Sequence, residues 1–141
     1  MDYRLVYHSL NRLVREPEAM RTEIDQILEK SRRNNGKVGI TGALMFNSGF
    51  FVQVLEGPQI AIEATFERIQ RDARHGEVTL LEFIPVEQRA FANWSMAFVG
   101  ADEAGLGHLA ETSGFDPSRL SGNELFETLR DLLQRELPRA A

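Results

Sequence analysis

The sequence contains no cysteine. Disulfides, thiol nucleophiles and thiolate metal sites are therefore excluded, while the redox environment stays open. No apolar run approaches the roughly 20 residues that a membrane-spanning helix needs. The N-terminal stretch MDYRLVYHSL has no signal-peptide core. The expectation is a cytoplasmic protein without membrane contact. An excess of positive charge is also missing: 16 Lys and Arg stand against 21 Asp and Glu, a formal net charge of -5. That balance argues against a general nucleic-acid surface. The three histidines, His8, His75 and His108, lie in unrelated contexts, and no nucleophile-elbow glycine pattern occurs. A Ser-His-Asp hydrolase finds no support there. No paired His, Asp or Glu spacing points to a metal.

What is present suits one soluble domain. The 141 residues are 43% hydrophobic and 26% charged, enough to enclose a core. Residues 3–9, YRLVYHS, read as a strand. Glu16-Pro17 marks a turn or helix start, and Met20, Ile24, Ile27, Leu28 and Ser31 form one helical stripe. The Asn34-Asn35-Gly36 run predicts the end of that helix. VGITGALMF (38–46) and FFVQVLEG (50–57) flank Asn47-Ser48-Gly49 and predict a hairpin. Pro58 suits a helix start, with Ile62, Phe66 and Ile69 repeating behind it. VTLLEFIPV (78–86) and WSMAFV (94–99) complete five strands.

The order βαββαββ predicts an α+β, ferredoxin-like fold: a five-stranded mixed sheet with two helices on one face. Right-handed crossovers set strands 1 and 3 side by side. Strand 5 is expected on the other side of strand 1. Residues 100–115 read as a Gly-rich linker, and NELFETLRDLLQREL (123–137) as an amphipathic helix. Residues 1–99 are thus taken as the main domain and 100–141 as a C-terminal helical extension.

Several polar residues sit where apolar ones are expected. Gly39 and Gly42 are not a dinucleotide fingerprint, because no helix opens after them. Their expected role is close packing of a helix on the sheet. Arg32, Arg33, Lys37, Arg71 and Arg74 read as ordinary charges at helix C-termini, with a phosphate clamp as the alternative. Gln53 lies among Phe50, Phe51, Val52, Val54 and Leu55, and Tyr7 lies inside another apolar strand. Leaving the Gln53 amide unpaired in a core would cost on the order of 1–3 kcal/mol. Two readings remain open. Gln53 could satisfy the Tyr7 hydroxyl or a backbone group while the asparagines cap a helix. Alternatively, these amides could face the carbonyls and ring NH of a flat heteroaromatic ligand held between the two helices.

Read in order, YRLVYHS, ILEKSRRNN, GITGALMFNSGFFVQVLEG, RIQRDARHGEVTLLEF and FANWSM resemble the BLUF family of blue-light sensors that use FAD. The resemblance covers residues 3 to about 98, with a somewhat long loop after the first strand. It implies a non-enzymatic photoreceptor holding FAD without a covalent bond. Tyr7 matches the family's essential tyrosine and Gln53 its switching glutamine, which bridges the phenol and the flavin N5 and C4 carbonyl. Asn35, helped by Asn34, matches the residue that holds the pyrimidine edge of the ring. Ser9, Ile27 and Ser31 match positions beside the pocket, and Arg74 and His75 an Arg-His pair near the flavin. Trp94 and Met96 match the segment beside the glutamine. The family mechanism implies light-driven electron and proton transfer from Tyr7, rearrangement of Gln53 and a small red shift. With no room for a cyclase or phosphodiesterase after residue 100, the resemblance is to short single-domain members. The expected output is contact with an unknown protein partner or a change in a homodimer. The rival readings are a ferredoxin-like acyl- or phosphoryl-transfer enzyme and a flavin-free interaction module.

Overall fold

The computed structural model describes residues 1–11, 17–46, 50–72, 75–93, 96–99 and 121–136. The elements are β1 (Asp2–Asn11), α1 (Pro17–Val38), β2 (Thr41–Phe46), β3 (Phe50–Pro58), α2 (Gln59–Arg71), β4 (His75–Val86), β5 (Ala97–Val99) and α3 (Gly122–Glu136). The expected turn at 47–49 and linker at 100–115 lie outside the described residues.

Four strands pair antiparallel in the order β4-β1-β3-β2, and β5 joins the free edge of β2 in parallel. Strands 1 and 3 are adjacent, as expected. Strand 5 is not beside β1. That edge of β1 is taken by β4, which pairs with it from Asp2 to Asn11, and β5 pairs instead with the outer edge of β2. The expectation that Tyr7, Gln53 and residue 96 come from three neighbouring strands is corrected accordingly. β2 lies between β3 and β5.

The first helix also runs further than its sequence suggests. Asn34, Asn35 and Gly36 are helical, and the stop comes at Gly39, with φ 75°. The Ile40 amide donates to the Asn35 carbonyl at 3.0 Å, the six-residue closure of a Schellman cap. Glycine is favoured at Gly39 because a Cβ disfavours that left-handed conformation. At Gly42 the constraint is space. A Cβ there would lie 2.0 Å from the Val54 carbonyl oxygen. Neither glycine serves helix-on-sheet packing as expected: one caps α1, and the other lets β2 approach β3.

The strand pleat divides the core between two faces. Leu5, Tyr7, Phe51, Leu55 and Leu44 pack with Ile24, Ile27 and Leu28 of α1 and Ile62 of α2. Val6, Ala43, Met45, Val52 and Val54 pack with Phe91 and with Leu125, Phe126 and Leu129 of α3. On that second face Glu56 of β3 is fully buried. It accepts hydrogen bonds from Arg4 Nε at 2.9 Å, the Phe91 amide at 2.8 Å and the Ala90 amide at 3.1 Å. The Arg4 guanidinium lies 3.8 Å from the centre of the Phe126 ring, a cation–π contact that adds to the seating of α3.

Burying Leu125, Phe126 and Leu129 is worth at most roughly 5–9 kcal/mol in total. That is comparable with the whole stability of an ordinary domain. Truncation after residue 99 is therefore expected to yield insoluble or unfolded protein, assayed by soluble yield and thermal melting. A well-folded truncated chain would show that α3 is not part of the core.

Candidate functional site

The candidate site begins with one pair across the two central strands. Tyr7 of β1 lies directly opposite Gln53 of β3, so both side chains project on the α1/α2 side. Tyr7 is completely buried and Gln53 is 4% exposed. The Tyr7 hydroxyl donates to Gln53 Oε1. Gln53 Nε2 donates to Met96 Sδ at 3.4 Å. The Tyr7 ring is held by a tilted contact with Phe66, centroids 5.4 Å apart. Burial pushes the Tyr7 phenol well above its ordinary value of 10.0, and the nearby charge of Asp72 adds to the shift. Tyr7 is thus a neutral donor at any ordinary pH.

Gln53 also borders a cleft between α1 and α2. Ile27, Lys30, Ser31, Asn34 and Asn35 form one wall. Their spacing, i, i+3, i+4, i+7 and i+8, is one face of an α-helix. Thr65, Arg68 and Ile69 of α2, continued by Asp72, form the other wall with the same period, and Leu44 and Gln53 also border the space. Asn35 is 1% exposed. Lys30 and Arg68 are exposed where they border the cleft, and Arg68 Nη2 donates to Thr65 Oγ1 at 3.2 Å. Ile27, Leu44 and Ile69 provide apolar contact, while Asn34, Asn35 and Gln53 provide amides.

Most of the sequence-expected residues converge here. Ile27, Ser31, Asn34, Asn35 and Gln53 line the cleft. Tyr7 and Met96 contact Gln53. Met96 points inward, 2% exposed, in the same core cluster as Tyr7. Ser9 is buried two residues beyond Tyr7 and does not line the cleft. Trp94 and Arg74 lie outside the described residues. His75 opens β4 opposite Asn11. Sequence reasoning missed Lys30, Leu44, Thr65, Arg68 and Asp72, and assigned Ile69 to the core stripe alone. The helical period starting from Ser31 and Asn34 carries the signal for Lys30. Among the described residues, no cluster of His, Asp or Glu could hold a metal ion.

The bond from Tyr7 to Gln53 fits both earlier readings of the glutamine. The cleft separates them. A purely structural amide would be enclosed by core atoms, whereas Gln53 opens onto a space lined by further amides.

Comparison with known proteins adds an independent finding. The model of the BLUF family, described as sensors of blue-light using FAD, matches residues 3–97. The photoactivated adenylate cyclase subunit beta of Euglena longa is 35% identical over 77 residues, covering 54% of this chain and 9% of that protein. The blue light- and temperature-regulated antirepressor BluF of Escherichia coli is 29% identical over 86 residues, covering 60% of this chain and 20% of that protein. The chain thus spans only a small part of these curated relatives. Among solved structures, BlsA in its photo-activated state is similar with a TM-score of 0.80 and 30% identity, covering 94% of this chain and 95% of that one. BlrB, a BLUF protein in its dark state, gives 0.77 and 32%, covering 96% and 97%.

The Tyr7–Gln53 pair is expected to behave as one unit in stability. Tyr7→Phe leaves Gln53 Oε1 buried without its donor and should cost about 1–3 kcal/mol. The double variant Tyr7→Phe, Gln53→Leu should cost less than the sum of the singles in a urea-denaturation cycle. Additive losses would show that the pair is not coupled.

Proposed function

Since this chain belongs to the BLUF family of blue-light sensors that use FAD, we propose that the cleft between α1 and α2 holds a flavin and that Gln53 is its light-dependent switch. The observation that carries this reading is the continuity of one buried amide with a phenol on one side and an open, amide-lined cleft on the other.

The residues present fit a flavin. Asn34 and Asn35 offer donors and acceptors for the pyrimidine edge of a ring. Ile27, Leu44 and Ile69 can lie against ring faces. Lys30 and Arg68, exposed beside the cleft, suit the phosphates of the cofactor's tail, which favours FAD or FMN over riboflavin. Bound there, a flavin supplies an excited electron acceptor and hydrogen-bonding atoms at N5 and the C4 carbonyl.

The chain's own part follows from its hydrogen bonds. Tyr7 holds a transferable proton at its hydroxyl, aimed at Gln53 Oε1. The Gln53 amide has an acceptor at one end and donors at the other, so turning it exchanges what it offers to Tyr7 and to the cleft. The two orientations are not equivalent. In the observed one, Nε2 donates to the Met96 thioether. In the reversed one, an oxygen lone pair would face sulfur. Met96 therefore biases the amide, and a low-dielectric surrounding sharpens that bias. Ser9 supports the β1 end of the site, and Trp94, Arg74 and His75 are assigned to its surroundings on the family pattern alone.

We assign the chain a sensory, non-enzymatic role. Its signal would pass to another protein or to a second copy through the sheet and α3. An acyl- or phosphoryl-transfer enzyme is the weaker reading, because the sequence after β1 offers no glycine-rich phosphate cradle.

The purified protein is expected to be yellow, and acid extraction with chromatography of the pigment identifies FAD or FMN. Blue light should move its absorption slightly to the red, reversibly in the dark. Tyr7→Phe and Gln53→Leu should each abolish that shift with flavin still bound; a normal shift in either refutes its role. Asn35→Ala should lower flavin retention by about tenfold if one buried hydrogen-bonded contact of roughly 1.4 kcal/mol is lost, measured by fluorescence titration. Because burial holds the Tyr7 phenol protonated, the shift should be unchanged across about pH 6–9. A titration of the shift within that window would contradict a neutral Tyr7 donor.

A further inference from the structure

The sulfur of Met96 meets the Gln53 amide, but Met96 does not belong to the central strands. It lies immediately before β5, which begins at Ala97 opposite Ala43 of β2. A methionine has three rotatable side-chain bonds and fits many geometries. Where its sulfur rests is therefore decided by what fixes its backbone.

One such restraint comes from the cleft wall itself. Arg32 Nε of α1 donates to the Met96 carbonyl at 3.0 Å. Arg32 sits on α1 between Ser31 and Asn34, which both line the cleft. Its Nε bonds across to the segment that brings Met96 to Gln53, although the residue is exposed. The bond is charge-assisted, hence stronger than a neutral one. From sequence alone, Arg32 reads as an ordinary charge near a helix C-terminus. A solvated charge of that kind needs no buried backbone partner, and here Met96 is only 2% exposed.

We propose that Arg32 is a positioning residue for the switch. By holding the Met96 carbonyl, it fixes the thioether against Gln53 Nε2 and thereby sets which way the Gln53 amide points. The inference rests on the flavin-sensor reading of the site. It goes beyond that reading by naming a residue that touches neither Gln53 nor, in this assignment, the ring. It also ties α1, whose inner face lines the cleft, to the first residue outside β5. Occupancy of the cleft and the bias of the amide are then linked through one side chain.

The arrangement described here is taken as the resting one. Removing the Arg32 contact weakens the hold on that arrangement, so the lit form should persist longer. The test uses the flavin-loaded full chain and four variants: Arg32→Ala, Met96→Leu, their double variant, and Arg33→Ala. Arg33 is an exposed neighbour whose removal takes away the same charge. The readouts are the resting absorption maximum and the dark-recovery rate after a blue flash. Arg32→Ala should slow recovery by about tenfold, the change expected for loss of one charged hydrogen bond, and should displace the resting maximum. Arg33→Ala should recover at the native rate. In the Met96→Leu background, Arg32→Ala should add little, because the thioether it positions is gone.

Native recovery in Arg32→Ala, with a normal red shift in the native chain, overturns the role of Arg32 and leaves the sensor reading intact. A full Arg32→Ala effect in the Met96→Leu background, or an equal effect of Arg33→Ala, also overturns it, since the arginine would then act through its charge. Absence of any red shift in the native chain strikes the sensor reading first, and this inference with it.

Discussion

The hydrogen bond from Tyr7 to Gln53 is the constraint around which the rest of the site is arranged. It joins the two central strands of the sheet at one register position. Tyr7 is fully buried and cannot exchange its bond for water without opening the core, whereas Gln53 also borders the cleft. The phenol is held neutral by that same burial. The amide is the one group in the pair with two chemically different ends. Sheet register and burial confine the tyrosine, and the glutamine alone retains a choice.

Around this pair, two helices supply a recognition surface by periodicity. On each, residues three and four apart turn toward the cleft. The inner positions carry amides and aliphatic groups, while Lys30 and Arg68 are exposed. A chain with a net charge of -5 thus keeps two cations at the cleft, with Asp72 beside them. The opposite face of the sheet is organised differently. There Glu56 binds two backbone amides and Arg4, and Phe126 covers the guanidinium. Gln53 and Glu56 lie three residues apart on one strand and face opposite ways. β3 therefore carries a polar centre on each side of an otherwise apolar sheet.

Much of this was legible in the sequence, for physical reasons. A glutamine amid Phe51, Val52, Val54 and Leu55 signals a buried polar group that needs partners, and the helical stripe of α1 places Ile27 and Ser31 with Asn34 and Asn35. The path of β5 was not legible. Local pattern reveals a strand but not which free edge it will occupy, and the long pairing of β4 with β1 removes only the place beside β1. The end of α1 was misjudged because Asn-Gly is a good stop signal. The helix instead carries the buried Asn35 within it and is capped at Gly39. Glu56 escaped notice, and Arg32 was read only as a helix-end charge, because each bonds backbone groups distant in sequence. No composition or periodicity reports such contacts.

The parallel edge strand has a thermal consequence. Among the described residues, β5 is three residues long and pairs only with β2, whereas β1 pairs along nearly its whole length on both sides. Short ladders at a sheet edge fray at lower temperature than long central ones. Warming therefore loosens first the strand that follows Met96, the residue against which Gln53 is oriented.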